Sequence, residues 1–225
     1  MSSIAGMLLG LLVGLRHAFE PDHLTAMATL AAEARGPRRG ALLGAIWGVG
    51  HTLALIAVAA ILLVAGEALP ARLSAAFELA VAGLLVVLGI RAIVLARREG
   101  RVGPAHHHRH RGISHDHGGP TAHVHLGRHT LAWRPLAVGL VHGLAGSGAM
   151  TALAFAQLSS TASRLSYLGL FGIGSIAGMA IASAIASASF GRMNGRSYRA
   201  LMLVAGLASI VLGVAWSLPL WDQLA

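Results

Sequence analysis

The chain has 225 residues, of which 56% are hydrophobic and 11% are charged, whereas about 25% are charged in an ordinary soluble domain. This apolar composition excludes a disordered chain, and the absence of cysteine excludes a disulfide scaffold and a zinc–thiolate protein. The formal net charge of +9 comes from arginines that lie between apolar stretches, so we expect the lipid bilayer as a partner and no nucleic acid.

Six stretches are candidates for membrane-spanning helices, since a span needs about 20 mostly apolar residues. In chain order they are 3–31, 40–64, 73–96, 135–158, 165–190 and 199–220. We therefore predict an all-α, polytopic membrane protein with six transmembrane helices. A hydrophilic stretch divides them into a first three-helix unit at 1–97, a flexible loop at 98–134 and a second three-helix unit at 135–225.

The distribution of arginine predicts the orientation of these spans. Most arginines lie in the connections after spans one, three and five, whereas the opposite connections hold little beyond Arg72 and Arg164. The positive-inside rule places the arginine-rich connections in the cytoplasm. We therefore expect a protein of the cytoplasmic (inner) membrane with both termini outside and the loop 98–134 in the cytoplasm.

The two three-helix units resemble each other in sequence. Three pairs of segments recur at offsets of 125, 124 and 123 residues: Val13–His17 with Val138–His142, Gly48–His51 with Gly172–Ser175, and Val81–Leu84 with Val204–Leu207. Each unit holds an odd number of spans, so the two must insert with opposite orientation. The pattern predicts an inverted repeat, a plan typical of secondary transporters whose site lies near the middle of the membrane.

The first predicted span contains a polar cluster formed by His17, Glu20, Pro21, Asp22 and His23. Ionisable residues at membrane depth are costly and mark functional sites. On a regular helix His17 and His23 point in different directions, but Pro21 removes a helical hydrogen bond and breaks the helix. The break could bring His17, Asp22 and His23 together. The alternative is that the span ends before His17 and the cluster lies among the lipid headgroups.

Two further histidines lie inside apolar spans. His51 lies in the second span directly after Gly48 and Gly50, which permit close helix approach, and His142 is the repeat counterpart of His17. We predict both as metal ligands, with Glu20 and Ser147 as accessory polar groups. The alternative for each histidine is a packing role with one satisfied hydrogen bond.

Imidazole and carboxylate groups without thiolates suit Ni²⁺, Co²⁺, Zn²⁺ or Cu²⁺ and do not suit Mg²⁺ or Ca²⁺, which require oxygen ligands. The histidine-rich loop favours the same ions, as a metal buffer or, alternatively, as a hydrophilic spacer. Its candidate metal-buffering residues are His106, His107, His108, His110, His115, His117, His123 and His125.

The segment Arg16–His23 fits the H-x4-D-H signature of the NiCoT nickel/cobalt transporters, usually written RHA-x-D-A-D-H, with Glu20–Pro21 where the family often has Asp-Ala. Gly48–Thr52 resembles the segment of the family's second helix, and Leu140–Ser147 is similar to one in the short six-span branch of urease accessory permeases of the UreH type. The resemblance implies a transporter whose metal-site residues are His17, Asp22, His23 and His51.

We expect a secondary transporter that takes up Ni²⁺, and Co²⁺ with it, as its bound ligand, and that has no other cofactor. The sequence contains no G-x4-G-K-[ST] nucleotide-binding motif. Partners implied by the resemblance are cytosolic nickel metallochaperones or the maturation of urease or hydrogenase. Efflux of the same ions is the first alternative, because related efflux proteins also carry a histidine-rich loop. The others are an exporter of small anions or metabolites and an intramembrane metallo-enzyme, although we expect no enzyme, since no H-E-x-x-H motif is present.

Overall fold

The computed structural model describes the backbone of residues 3–31, 34, 36–65, 69–98, 107–110, 113–116, 124–126, 129–131, 133–158 and 160–221. Within these ranges the side chains of 3–7, 63, 65, 98, 107–131 and 146–157 lie outside the description. The described part holds seven α-helices: α1 Ser3–His17, α2 Pro21–Ala31, α3 Pro37–Ala65, α4 Ala71–Arg98, α5 Trp133–Gln157, α6 Thr161–Phe190 and α7 Gly195–Ser217, followed by a 3-10 turn at Leu218–Leu220.

Local sequence explains where several helices begin. Both α2 and α3 begin with proline. The N–H of the first helical residue has no partner within the helix, so proline, which lacks this N–H, loses no hydrogen bond there. Helix α6 is preceded by Ser160, whose hydroxyl accepts a hydrogen bond from a backbone N–H three residues on at 3.1 Å. Asn194 caps α7 in the same way at 2.9 Å. Such caps satisfy N–H groups that the first turn of a helix cannot bond internally.

Four of the described helices are long and apolar enough to cross a membrane. They are Pro37–Leu62 of α3, Ala71–Arg97 of α4, Thr161–Phe190 of α6, and Gly195–Leu220 of α7 with its 3-10 turn. The shortest has 26 residues, or about 39 Å of helix, against a hydrocarbon core of about 30 Å. Large aliphatic side chains such as Val64 and Ile61 are 90% and 66% exposed, as expected of residues that face lipid. The chain is a membrane protein with a helical membrane region.

The first predicted span is divided into two helices where the break was predicted. Helix α1 ends at His17 and α2 begins at Pro21, and backbone hydrogen bonds from Phe19 to Arg16 at 2.9 Å and from Glu20 to His17 at 3.0 Å close the turn between them. Pro21 thus ends the first helix and starts the second.

Helices α1 to α4, here called the first unit, pack mainly against helices α5 to α7, the second unit. Helix α1 packs on α6, α3 packs on both α5 and α6, and α4 packs on α7. Glycines permit the closest of these approaches: a Cβ on Gly14 of α1 would meet the carbonyl of Phe171, and a Cβ on Gly139 of α5 would meet the carbonyl of Trp47. The largest described apolar core accordingly contains residues of both units. It includes Ala26, Trp47, Leu85, Val138 and Met179.

The hydrophilic stretch between α4 and α5 contains two short antiparallel hairpins, which its sequence did not predict. Strand β1 (His107–His110) pairs with β2 (Ile113–Asp116), and β3 (Val124–Leu126) pairs with β4 (His129–Leu131). Three or four paired residues give too short an alternation of apolar and polar side chains to be recognised in sequence. His106, His117 and His123 lie outside the described residues.

Candidate metal centre

The break between α1 and α2 positions three polar side chains of the candidate site. His17 is the last residue of α1, whereas Asp22 and His23 lie in the first turn of α2. The chain changes direction between them, so side chains that a continuous helix would point about 120–140° apart come to face one another. All three are buried, with exposed fractions of 4%, 7% and 1%.

His17, His23 and His51 form a group of three imidazoles, which we call the imidazole triad. The ring centroid of His17 lies 4.3 Å from that of His23 and 5.1 Å from that of His51, and His23 and His51 are 5.3 Å apart. Each ring offers a nitrogen that lies within 4.8 Å of the corresponding atoms of the other two. His51 reaches the group from the middle of α3 and is fully buried.

Asp22, His23 and His142 form a second group, the carboxylate triad. An Asp22 carboxylate oxygen lies 2.8 Å from Nε2 of His142, and its other oxygen lies 3.1 Å from Nδ1 of His23. The rings of His23 and His142 are 4.3 Å apart, and His142, on α5, is 2% exposed. Because His23 belongs to both triads, the five side chains make one continuous cluster with a single carboxylate at one side.

The imidazole triad contains buried nitrogen atoms that no described group satisfies. Both ring nitrogens of His51, and Nε2 of His17 and of His23, make no hydrogen bond with the described residues. Burying a polar group without a partner costs about 1–3 kcal/mol in proteins. Neutral imidazole nitrogens that converge within 4.8 Å are the donor set of a late transition metal, so the triad fits such an ion chemically.

Two aromatic side chains enclose the cluster and were not predicted as part of it. The indole of Trp47 stacks on His23 at 5.6 Å and lies edge-on to His142 at 5.8 Å, and the ring of Phe171 lies 5.3 Å from His17. The similarity between the two halves of the sequence could have indicated these residues, because Trp47 and Phe171 stand at corresponding positions, 124 residues apart. Such apolar walls lower the local dielectric and control solvent access to a site.

The remaining candidates differ in their relation to the cluster. Glu20 is an accessory neighbour, since its carboxylate lies 2.9 Å from Nδ1 of His17 and its side chain is 47% exposed. Ser175, the repeat counterpart of His51, is fully buried and donates a hydrogen bond to the Gly14 carbonyl at 3.3 Å. The side chains of Ser147 and of the histidines at 107–131 lie outside the described residues.

The chain is similar to a protein named urease accessory protein UreH from Bacillus sp. (strain TB-90). The two sequences are 29% identical over 215 residues, which cover 92% of this chain and 87% of the relative. No family model and no solved structure matches the chain. The predicted resemblance to the urease accessory branch is thereby confirmed. The relative's name describes an accessory protein and not an enzyme, in agreement with the expectation for this chain.

Proposed function

We propose that the protein carries Ni²⁺, and Co²⁺ by the same route, across the cytoplasmic membrane. The observation that carries the proposal is the cluster of four imidazoles and one carboxylate buried at a helix break inside an apolar helix bundle. Ionisable side chains at membrane depth are expensive and mark ion pathways, and these donors suit late transition metals. The similarity to a urease accessory protein supports nickel as the ion.

The six spans are proposed to form an inverted repeat, in which α1 with α2, α3 and α4 correspond to α5, α6 and α7. Exchanging the two units maps the main packing pairs onto one another: α1 on α6 becomes α5 on α3, whereas α3–α6 and α4–α7 map onto themselves. The close contacts support the same relation. Gly174 would clash with the backbone at Leu11, and its counterpart Gly50 would clash with the backbone at Leu136, if either carried a Cβ.

The two triads are proposed to be successive positions of the ion. His23 belongs to both, so an ion that leaves the imidazole triad for the carboxylate triad keeps one ligand throughout. The carboxylate lowers the charge of the bound complex, and its hydrogen bond to His142 fixes the orientation of that ring. Alternating access around the cluster then requires the two units to rock against each other along their glycine-lined contacts.

Uptake is the proposed direction, with the arginine-rich connections and the segment 98–134 in the cytoplasm and both termini outside. An inside-negative potential contributes about 2.3 kcal/mol per charge for each 100 mV, or about 4.6 kcal/mol for a divalent ion. Entry can therefore proceed without ATP. Histidines of the cytoplasmic segment would buffer the imported ion before cytosolic nickel chaperones or the urease maturation machinery receive it.

Proteoliposomes test the transport function directly. Vesicles that contain the protein should accumulate radioactive nickel when a potassium diffusion potential makes the interior negative, towards a limit of about 2,000-fold per 100 mV. Protein-free vesicles should not accumulate it, and Mg²⁺ should not compete, because it requires oxygen ligands. The proposal would be contradicted if the vesicles accumulate no nickel, or if Mg²⁺ inhibits nickel uptake as strongly as Co²⁺ does. Growth on limiting and on toxic nickel, with and without the gene, separates uptake from efflux.

Replacing Asp22 with asparagine should weaken nickel binding by about 10- to 100-fold, the range found when groups that orient metal ligands are changed. The substitution keeps the shape of the side chain but removes the charge that lies 2.8 Å from His142. Glu78→Gln is the matched control, because this carboxylate of α4 contacts Ser74 and Trp216 and belongs to neither triad. Titration calorimetry in detergent measures both. An equal effect of the two substitutions would mean that Asp22 has no special role.

A further inference from the structure

A cavity of about 260 Å³ lies between α2, α3, α4 and α5, and none of the five cluster residues lines it. It opens at the surface of the bundle, where Val87 is 62% exposed. Its wall is mostly aliphatic and contains two arginines. The described residues that line it are Leu30, Leu43, Leu84, Val87, Leu88, Arg91, Trp133, Arg134, Pro135, Ala137 and Val138.

Arg91 is the unexpected member of this wall. It lies inside the apolar span Ala71–Arg97, seven residues or about 10 Å before the end of α4 at Arg98. A charged residue at this depth is costly, and such residues face ligand or ion pathways. The second charged residue of the wall, Arg134, is also positive.

The rest of the wall indicates an anion with an apolar tail. Arg134 lies in the first turn of α5 beside Trp133, which is 48% exposed, and tryptophan is typical of the membrane–water interface. The described lining residues include no acidic side chain. Leu88 and Leu84 precede Arg91 on α4 by about one and two helical turns, and they continue the wall of the cavity further from the end of the helix. Positive charge near the helix ends and aliphatic surface further inside complement a phosphate joined to an acyl chain.

We propose that this cavity binds an acidic phospholipid. Its phosphate accepts hydrogen bonds from the guanidinium groups of Arg91 and Arg134, and its acyl chain runs along Leu84 and Val87 into the bilayer. Basic pockets between transmembrane helices at the cytoplasmic side bind such headgroups. Pockets that enclose a whole small molecule have volumes of about 300–1,000 Å³. The smaller volume of this cavity suits a ligand whose acyl chains remain in the membrane. The lipid would join α4 of the first unit to α5 of the second.

Native mass spectrometry of protein purified with equal amounts of phosphatidylglycerol and phosphatidylcholine tests the proposal. Wild type should retain phosphatidylglycerol several-fold more than phosphatidylcholine, and Arg91→Gln and Arg134→Gln should each lose most of this preference. Arg97→Gln is the matched control, since it removes the same charge from an exposed position on the same helix and should keep the preference. Millimolar inorganic phosphate should not displace the lipid.

Three outcomes would overturn the proposal: a preference that survives in both cavity variants, an equal loss in Arg97→Gln, or displacement by inorganic phosphate. If the cavity variants do not fold, the wild-type protein still provides a test. Its melting temperature should be higher in micelles with phosphatidylglycerol than in micelles with phosphatidylcholine, and equal values would contradict the assignment. Neither measurement depends on nickel transport, so the lipid site and the proposed function can fail separately.

Discussion

Nickel binding by a His23→Ala variant is expected to fall by about a hundredfold or more, the largest effect of any single substitution in the cluster. His23 contributes to both triads, so its removal leaves two ligands in each. His51→Ala and His142→Ala each leave one triad complete and should cost less, about tenfold. Titration calorimetry of the three variants in detergent measures the difference, and radioactive nickel uptake into proteoliposomes should follow the same order.

Phe19→Ala is the control, because it removes a ring at the same helix break that is 46% exposed and belongs to neither triad. It should bind nickel with the wild-type affinity. Thermal unfolding of each variant without metal shows whether the fold is retained. Wild-type affinity in a folded His23→Ala variant would eliminate the proposed site, and equal losses in all three cluster variants would eliminate the shared-ligand arrangement.

The second large effect is expected from adding one methyl group to a glycine at the contacts between the two units. Gly14→Ala would place a Cβ against the carbonyl of Phe171, and Gly139→Ala would place one against the carbonyl of Trp47. In both cases the obstacle is backbone, so the helices must separate. Overpacking of this kind costs about 1–3 kcal/mol and sometimes more. For a chain of this size, that lowers the melting temperature by about 2–4 °C per kcal/mol.

Gly83→Ala and Gly169→Ala make the same chemical change where a Cβ would meet no atom within 4 Å. These controls should be neutral or more stable by up to about 1 kcal/mol, because alanine favours the helix over glycine. Thermal unfolding in one detergent compares the four variants. Equal destabilisation at all four positions would show that the glycines act through backbone flexibility, and not through the closeness of the helices.

Of the six predicted spans, the second, third, fifth and sixth are helices long and apolar enough to cross a membrane, and their signal is local. An apolar stretch of suitable length is sufficient to place a span, and proline within the first stretch is sufficient to predict the break at Pro21. The approach of His17 to His23 also followed from that break, because both belong to one short segment. Periodicity and composition could not predict the hairpins between α4 and α5, whose strands have only three or four residues.

The long-range part of the candidate site could not be predicted in detail. The contact between Asp22 and His142 depends on how α5 docks beside α2, and 120 residues separate the two side chains in sequence. The docking is determined by complementary surfaces, such as Gly139 against the backbone of Trp47, which no single segment encodes. The repeat indicated which positions correspond, but not that the corresponding aromatics, Trp47 and Phe171, would enclose the histidines.

The packing of one unit against the other has a consequence for biogenesis. The first three-helix unit is synthesised and inserted before its principal packing partners, α5, α6 and α7, exist. Until those helices enter the bilayer, lipid and water must cover the surfaces of α1 and α3 that carry His17 and His51. The candidate metal centre is therefore completed late in synthesis, and a nascent chain of only the first unit has not yet assembled it.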